Sequence, residues 1–169
     1  SESKLNSINF LITDYRQAND TKLEKRLKDG LNQLIGIRKK LEEHLEHLEQ
    51  PHFNGVKPEL RKTIKEHIFR NLLIQSLVTK DLENPARAIE ILTDAEDVCD
   101  SNKQLSLVYY NKACYYSVIG VLSSSARYLS KAIELSPSIR DSVGGDEDLD
   151  NLRNDATLMG KALSGDSND

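Results

Sequence analysis

At 169 residues the chain is long enough for one domain with a true core, or for a short solenoid. Apolar residues make up 38% and charged residues 30%, with 8 Gly, 4 Pro and no Trp, a balance that suits amphipathic helices and argues against a sheet. The net charge of −4 hides an asymmetry: residues 1–80 carry 15 Lys and Arg against 11 Asp and Glu, residues 81–169 carry 8 against 16, and neither half has the basic excess that nucleic acid demands of a partner.

Leu5, Ile8, Leu11, Ile12 and Tyr15 recur at helical spacing and predict a first amphipathic helix over about residues 3–18. Thr21 with Glu24 three residues on is a capping-box pattern, and it opens a second helix that Pro51 stops. About 30 residues at 1.5 Å rise make that helix roughly 45 Å long. Along it Leu27, Leu34, Leu41 and Leu48 repeat every seven residues, Leu31 and Leu45 follow Leu27 and Leu41 by four, and Arg38 takes the matching place between them. A 3.5-residue repeat buries its seam against another long helix. Two partners fit the seam: the neighbouring helices of the same chain, or a second copy that meets it along Leu27, Leu34, Arg38, Leu41 and Leu48 to make a homodimer. On the outer face, Arg38–Glu42 and Lys39–Glu43 have the spacing of salt bridges.

The stretch from Pro51 to Lys57 reads as a loop, and Pro58 suits the first turn of a third helix. Leu60, Ile64, Ile68 and Leu72, four residues apart, carry that helix to about Lys80. Asn84-Pro85 opens a fourth at about 85–99, with Ile89, Leu92 and Ala95 inward; a fifth follows at about 104–119 and a sixth at about 122–135. After Pro137 come short, cap-rich pieces and, from Ser164, a polar tail. The predicted organisation is an N-terminal helical element over 1–68, two helix pairs over 69–136, capping helices over 137–163 and a disordered tail over 164–169, all continuous in one domain.

The chemistry of catalysis is missing from this pattern. His44 and His47 lie three apart with Glu43 beside them, and His52 and His67 follow, but the metalloprotease order His-Glu-x-x-His is absent. Gly144-Gly145 lacks the lysine of a phosphate loop, and no Ser sits in a nucleophile elbow. Asp146, Glu147, Asp148 and Asp150 lack the alternating spacing of a calcium loop and read as helix caps. Cys99 and Cys114 fall in apolar helical patterns without metal spacing, as small buried thiols that stay reduced in a cytoplasmic protein. No run is apolar enough for a membrane span, and no signal peptide opens the chain. It starts at Ser1 with its only Met at Met159, which reads as a piece of something longer. No enzyme, cofactor, metal, membrane or nucleic acid is expected.

A repeat is legible instead. Ala88, Leu92 and Ala95 are matched 37 residues on by Ser125, Leu129 and Ala132, the small, large and small positions where the second helix of a pair presses on its neighbours. In Leu105–Pro137, Tyr109 is a large apolar residue, Ala113 a small contact, Tyr116 an aromatic, and Gly120 a turn before Ser125, Leu129, Ala132 and Pro137. Here the chain resembles the tetratricopeptide repeat family, departing from it at Lys112, where a Leu-like residue is usual. The preceding unit, about 69–100, fits through Leu72 and Ser76, with Thr79 where an aromatic is usual. Arg140-Asp141, Asp146-Glu147-Asp148-Leu149 and Leu152-Arg153-Asn154-Asp155 resemble the segment that closes many bacterial arrays of this kind. The likeness is closest over 105–155, looser over 69–104, and does not extend to 1–68.

What the resemblance implies is a right-handed α-α superhelix that binds a protein or peptide segment on a concave face, as an adaptor or regulatory module. Carried onto this sequence, that face shows Arg70, Leu73 and Leu77 from one unit and Tyr110, Asn111, Cys114 and Ser117 from the next. Leu73 and Leu77 stand where a clamp for a partner's C-terminal carboxylate would need polar groups, so the face reads as apolar with a tyrosine edge. The other reading of Tyr110 and Leu73 is as core against the N-terminal helices.

Overall fold

A computed structural model of the chain describes residues 21–48, 50 and 58–164. Among these residues every regular element is helical. The helix expected over 3–18 and the loop at 51–57 lie outside the described residues, as do 165–169. The chain divides into two compact units between Asn84 and Pro85.

The N-terminal unit holds α1 (Thr21–Leu48) and α2 (Pro58–Asp81). The two run antiparallel: Asn71 Nδ2 donates to the carbonyl of Leu34 at 3.1 Å, and Arg61 Nη2 to that of Leu48 at 2.5 Å. The inner end of the heptad does what its pattern asks. Leu27 and Leu34 are fully buried with Val78, and Leu31, Ile74, Leu77 and Leu82 pack around them. Helix α2 also buries four polar residues, Asn71, Gln75, Ser76 and Thr79, of which Asn71 reaches α1 through its bond to Leu34. Gln75 Nε2 donates to Asn71 Oδ1 at 2.5 Å and Ser76 Oγ to the Leu73 carbonyl at 2.8 Å, so the buried amides and the Ser76 hydroxyl have partners. Helix α2 ends in a Schellman turn: the Glu83 N–H reaches the Lys80 carbonyl, the Asn84 N–H reaches that of Thr79, and Glu83 sits at φ 61°. Because α2 is continuous from Pro58, the boundary expected at 68/69 falls inside a helix, and the compact units divide after the Schellman turn instead.

The C-terminal unit holds α3 (Pro85–Asp97), α4 (Asn102–Val118), α5 (Leu122–Leu135), a 3-10 turn at Pro137–Ile139, α6 (Arg140–Val143), a second 3-10 turn at Glu147–Leu149, α7 (Asp150–Arg153) and α8 (Ala156–Ser164). Ser101 caps α4, its hydroxyl accepting from the Gln104 N–H at 3.3 Å while Gln104 Oε1 accepts from the Asp100 N–H at 2.8 Å. Gly120, at φ 78°, turns α4 into α5 through a second Schellman pattern, Gly120 N–H to Ser117 carbonyl and Val121 N–H to Tyr116 carbonyl.

Packing follows chain order: α3 lies on α4, α4 on α5 and α8 on α5, while the 147–149 turn and α7 close over α4. All six residues of the 37-residue repeat are buried, from Ala88, Leu92 and Ala95 in α3 to Ser125, Leu129 and Ala132 in α5. The small ones let helix axes approach; Ser125 adds a hydrogen bond of 2.7 Å to the Ala113 carbonyl across the hairpin. Full burial of Leu92 and Leu129 is worth about 2 kcal/mol each.

Candidate protein-binding surface

Residues of the expected concave face fall in both compact units, and each group is described within its own. In the N-terminal unit Arg70 is exposed, its Nε 3.0 Å from Glu66 Oε1 one turn back. Leu73 is half-buried, and Leu77 packs on the Leu27–Leu34–Val78 cluster as part of the core.

In the C-terminal unit the expected face is occupied by the chain itself. Cys114 and Ser117 are buried under the 147–149 turn and α7. Tyr110 Oη donates to Asp146 Oδ2 at 2.7 Å, and Cys114 Sγ lies 3.6 Å from the same oxygen. Ser117 Oγ accepts from the Leu152 N–H at 3.3 Å, and its carbonyl accepts from Asn151 Nδ2 at 2.9 Å. Burial first, then the hydrogen bond to Asp146, raises the Tyr110 phenol well above its ordinary pKa. The closing turn is rigidly made: Asp146 Oδ1 caps the Asp148 N–H at 3.0 Å, and Arg153 Nη1 donates to the carbonyls of Val143 and Asp146 at 2.8 and 2.5 Å. Its apolar residues Leu149 and Leu152 need shelter, and that face of α4 supplies it: both are fully buried. This corrects the sequence reading. Cys114 and Ser117 are not open to a partner in this structure.

The same line of α4 is exposed at its two ends. Leu107, Asn111 and Val118 follow one another along α4 at helical spacing with Cys114, and Leu107 and Val118 are 43% and 40% exposed. Asn111, half-buried, turns its amide back to the Leu107 carbonyl at 2.9 Å. Ile119 and Val121, at the turn into α5, extend the exposed apolar surface. Leu107 and Val118 are missing from the sequence-based list, although the i, i+4, i+7, i+11 spacing through Asn111 and Cys114 would have found them.

The departure at Lys112 has a structural account. It is 2% exposed, ion-paired to Glu96 of α3, with its ammonium 5.3 Å above the ring of Tyr128. Tyr128 in turn stacks on Tyr116 at 5.4 Å and meets Tyr109 at 5.7 Å, and Lys131 lies 5.8 Å from the Tyr109 ring. Burial, followed by the charge of Glu96, raises the Tyr109 phenol. A leucine at this place would fill the same gap between helices; the lysine fills it with a neutralised charge and aromatic faces.

Of the expected dimer seam, Leu27 and Leu34 are spent inside the N-terminal unit, while Arg38, Leu41 and Leu48 are half-buried. His44 and His67 do not converge on a common centre: each places Nδ1 on a carbonyl of its own helix, Lys40 at 2.6 Å and Thr63 at 2.7 Å. Among the described residues no group of three or more His, Cys, Asp or Glu could hold a metal ion, Cys99 and Cys114 are free thiols, and no helix is long and apolar enough to cross a membrane. Burial raises the Cys99 thiol to about 11, with Glu96 and Asp100 adding to the effect.

No family model, no curated protein and no solved structure matches the chain.

Proposed function

We propose that the chain is a protein-recognition module, not a catalyst, whose C-terminal unit is a tetratricopeptide-like stack of helical hairpins. The order of packing in the C-terminal unit supports this, since α3 rests on α4 and α4 on α5, and the last segments close over α4 and α5. The observation that carries the reading is the exposed apolar surface of Leu107 and of Val118, Ile119 and Val121, at the two ends of a line of α4 whose middle, at Cys114, the chain covers with its own turn. Its ligand is an apolar helix or extended segment of another protein, bound over a small area and therefore weakly. Pull-down from the native host, with the captured proteins identified by mass spectrometry, tests it. Wild-type chain enriches a partner that Leu107→Glu/Val118→Glu loses, with the helical circular dichroism of both unchanged. Equal capture by the two proteins removes the assignment.

A further inference from the structure

On the side of α4 away from Leu107, Asn111 and Val118 lie Tyr109, Lys112 and Tyr116. Tyr128 of α5 is the hub of that side. Its ring lies parallel to Tyr116, with 5° between the planes, and meets Tyr109 at 48°. Three cations surround its centre: Arg127 at 5.2 Å, Lys112 at 5.3 Å and Lys131 at 5.9 Å.

The three cations are not alike. Lys112 is buried, and Glu96 takes up its charge. Arg127 is exposed and Lys131 half-buried, and among the described residues neither pairs with a carboxylate, Glu134 of their own helix included. The half-buried Tyr116 and Tyr128 likewise have no hydrogen-bond partner for their hydroxyls among the described residues, whereas Tyr109 has the Glu96 carboxylate beside it. A guanidinium, an ammonium and two phenols are thus gathered around one ring as donors without an acceptor. They stand in the half of the chain that carries 8 Lys and Arg against 16 Asp and Glu.

We infer that this side of the α4–α5 hairpin docks an acidic segment of another protein, one that presents two carboxylates about 6 Å apart. That spacing is the separation of Arg127 and Lys131, one turn apart on α5. The stacked tyrosines supply a flat, rigid support between helices, and Tyr and Arg are the side chains that protein interfaces favour. A polyanion such as nucleic acid fits worse. Two unpaired cations neutralise few phosphates, and the acidic surroundings repel charge that extends beyond the patch. The surface is separate from the apolar ends of the opposite line and does not depend on their binding anything.

Titration of the full chain with hexaglutamate, followed by nitrogen–proton correlation NMR, tests it. The peptide is expected to shift the signals of Arg127, Tyr128 and Lys131. Arg127→Gln/Lys131→Gln raises its Kd at least about tenfold, and Tyr116→Phe/Tyr128→Phe, which keeps both rings, raises it by a smaller factor. Leu107→Glu/Val118→Glu, on the other side of α4, leaves these shifts in place. Circular dichroism checks that each variant keeps its helices. Shifts that fall elsewhere, or that persist in the glutamine variant, overturn the inference. So does tighter binding of tripolyphosphate at the same residues, which would make the patch a phosphate site. Self-association that the glutamine variant abolishes overturns it too, by giving the surface to a second copy.

Discussion

The two compact units bury their helix contacts by opposite means. In the N-terminal unit a leucine seam is joined by a hydrogen-bonded row of two buried amides, Asn71 and Gln75, and Asn71 reaches across to a backbone carbonyl in the middle of α1. In the C-terminal unit the contacts are small residues, Ala88, Ala95, Ala113, Ser125 and Ala132, all fully buried, with Lys112 as the one buried charge among the described residues. A hydrogen-bonded row holds only one alignment, because a slip would strand buried amides at a cost of about 1–3 kcal/mol each. Small residues allow close nesting and repeat easily along a chain, so they suit a stack that grows by adding hairpins. The N-terminal unit is thus built to fix one pair of helices, the C-terminal unit to add layers.

The largest test of that contrast is the buried charge. Glu96→Ala leaves the Lys112 ammonium buried with only an aromatic face for company, and is expected to cost about 3 kcal/mol in urea unfolding. Lys112→Leu is expected to cost under about 1 kcal/mol, because it removes the charge and fills a place that suits leucine. If both changes cost the same, the pair contributes as packing and the electrostatic account is wrong. Next in size is the polar row: Asn71→Ala, which strands the Gln75 amide, is expected to cost about 2 kcal/mol. Asn71→Leu/Gln75→Leu should recover most of that loss. A double variant worse than the single would mean that the row does more than satisfy itself.

How far the sequence foretold these units depends on which force set each contact. Helix positions from Pro58 to Leu135 follow the apolar spacing and the capping residues, and the structure agrees with them closely. The burial of Ala88, Leu92 and Ala95 with Ser125, Leu129 and Ala132 was legible for the same reason, since volume alone decides it. The covering of Cys114 and Ser117 was not. It depends on where a segment more than thirty residues later folds back, and Asp146 carries no mark in the sequence that Tyr110 will be its donor. The buried amides of α2 escaped as well: Asn71 and Gln75 look solvated until Asn71 is seen to reach α1. Periodicity tells which residues share a side of a helix, and not what meets that side.

A smaller effect probes the closing turn itself. Tyr110→Phe removes the hydrogen bond to Asp146 and is expected to cost about 1 kcal/mol, with faster modification of the Cys114 thiol as the turn loosens. Its pH dependence has a definite sign. The folded state holds the Tyr110 proton above the ordinary phenol range, so above pH of about 10 the unfolded chain binds fewer protons and stability falls as pH rises. Tyr110→Phe should remove that share of the alkaline loss, leaving the shares of Tyr109 and Cys99, whose proton affinities are also raised. An unchanged alkaline slope, read from melting temperatures between pH 9 and 11, would sink the argument.

The smallest difference is the sharpest, because the two Schellman turns share a hydrogen-bond pattern and differ in one residue. At the exit of α4 the left-handed position is Gly120; at the exit of α2 it is Glu83. A side chain there crowds its own carbonyl by about 1 kcal/mol, and glycine relieves this while losing some of the gain to the freedom of the unfolded chain. Glu83→Gly is therefore expected to stabilise the N-terminal unit by about 0.5 kcal/mol, and Gly120→Ala to destabilise the C-terminal unit by about 1 kcal/mol, there being open space around its Cβ and no clash to add. Opposite signs from the two exits would establish that conformation alone sets these values. If Glu83→Gly destabilises instead, the glutamate side chain supplies an interaction that outweighs its backbone cost, and conformation alone does not set the value.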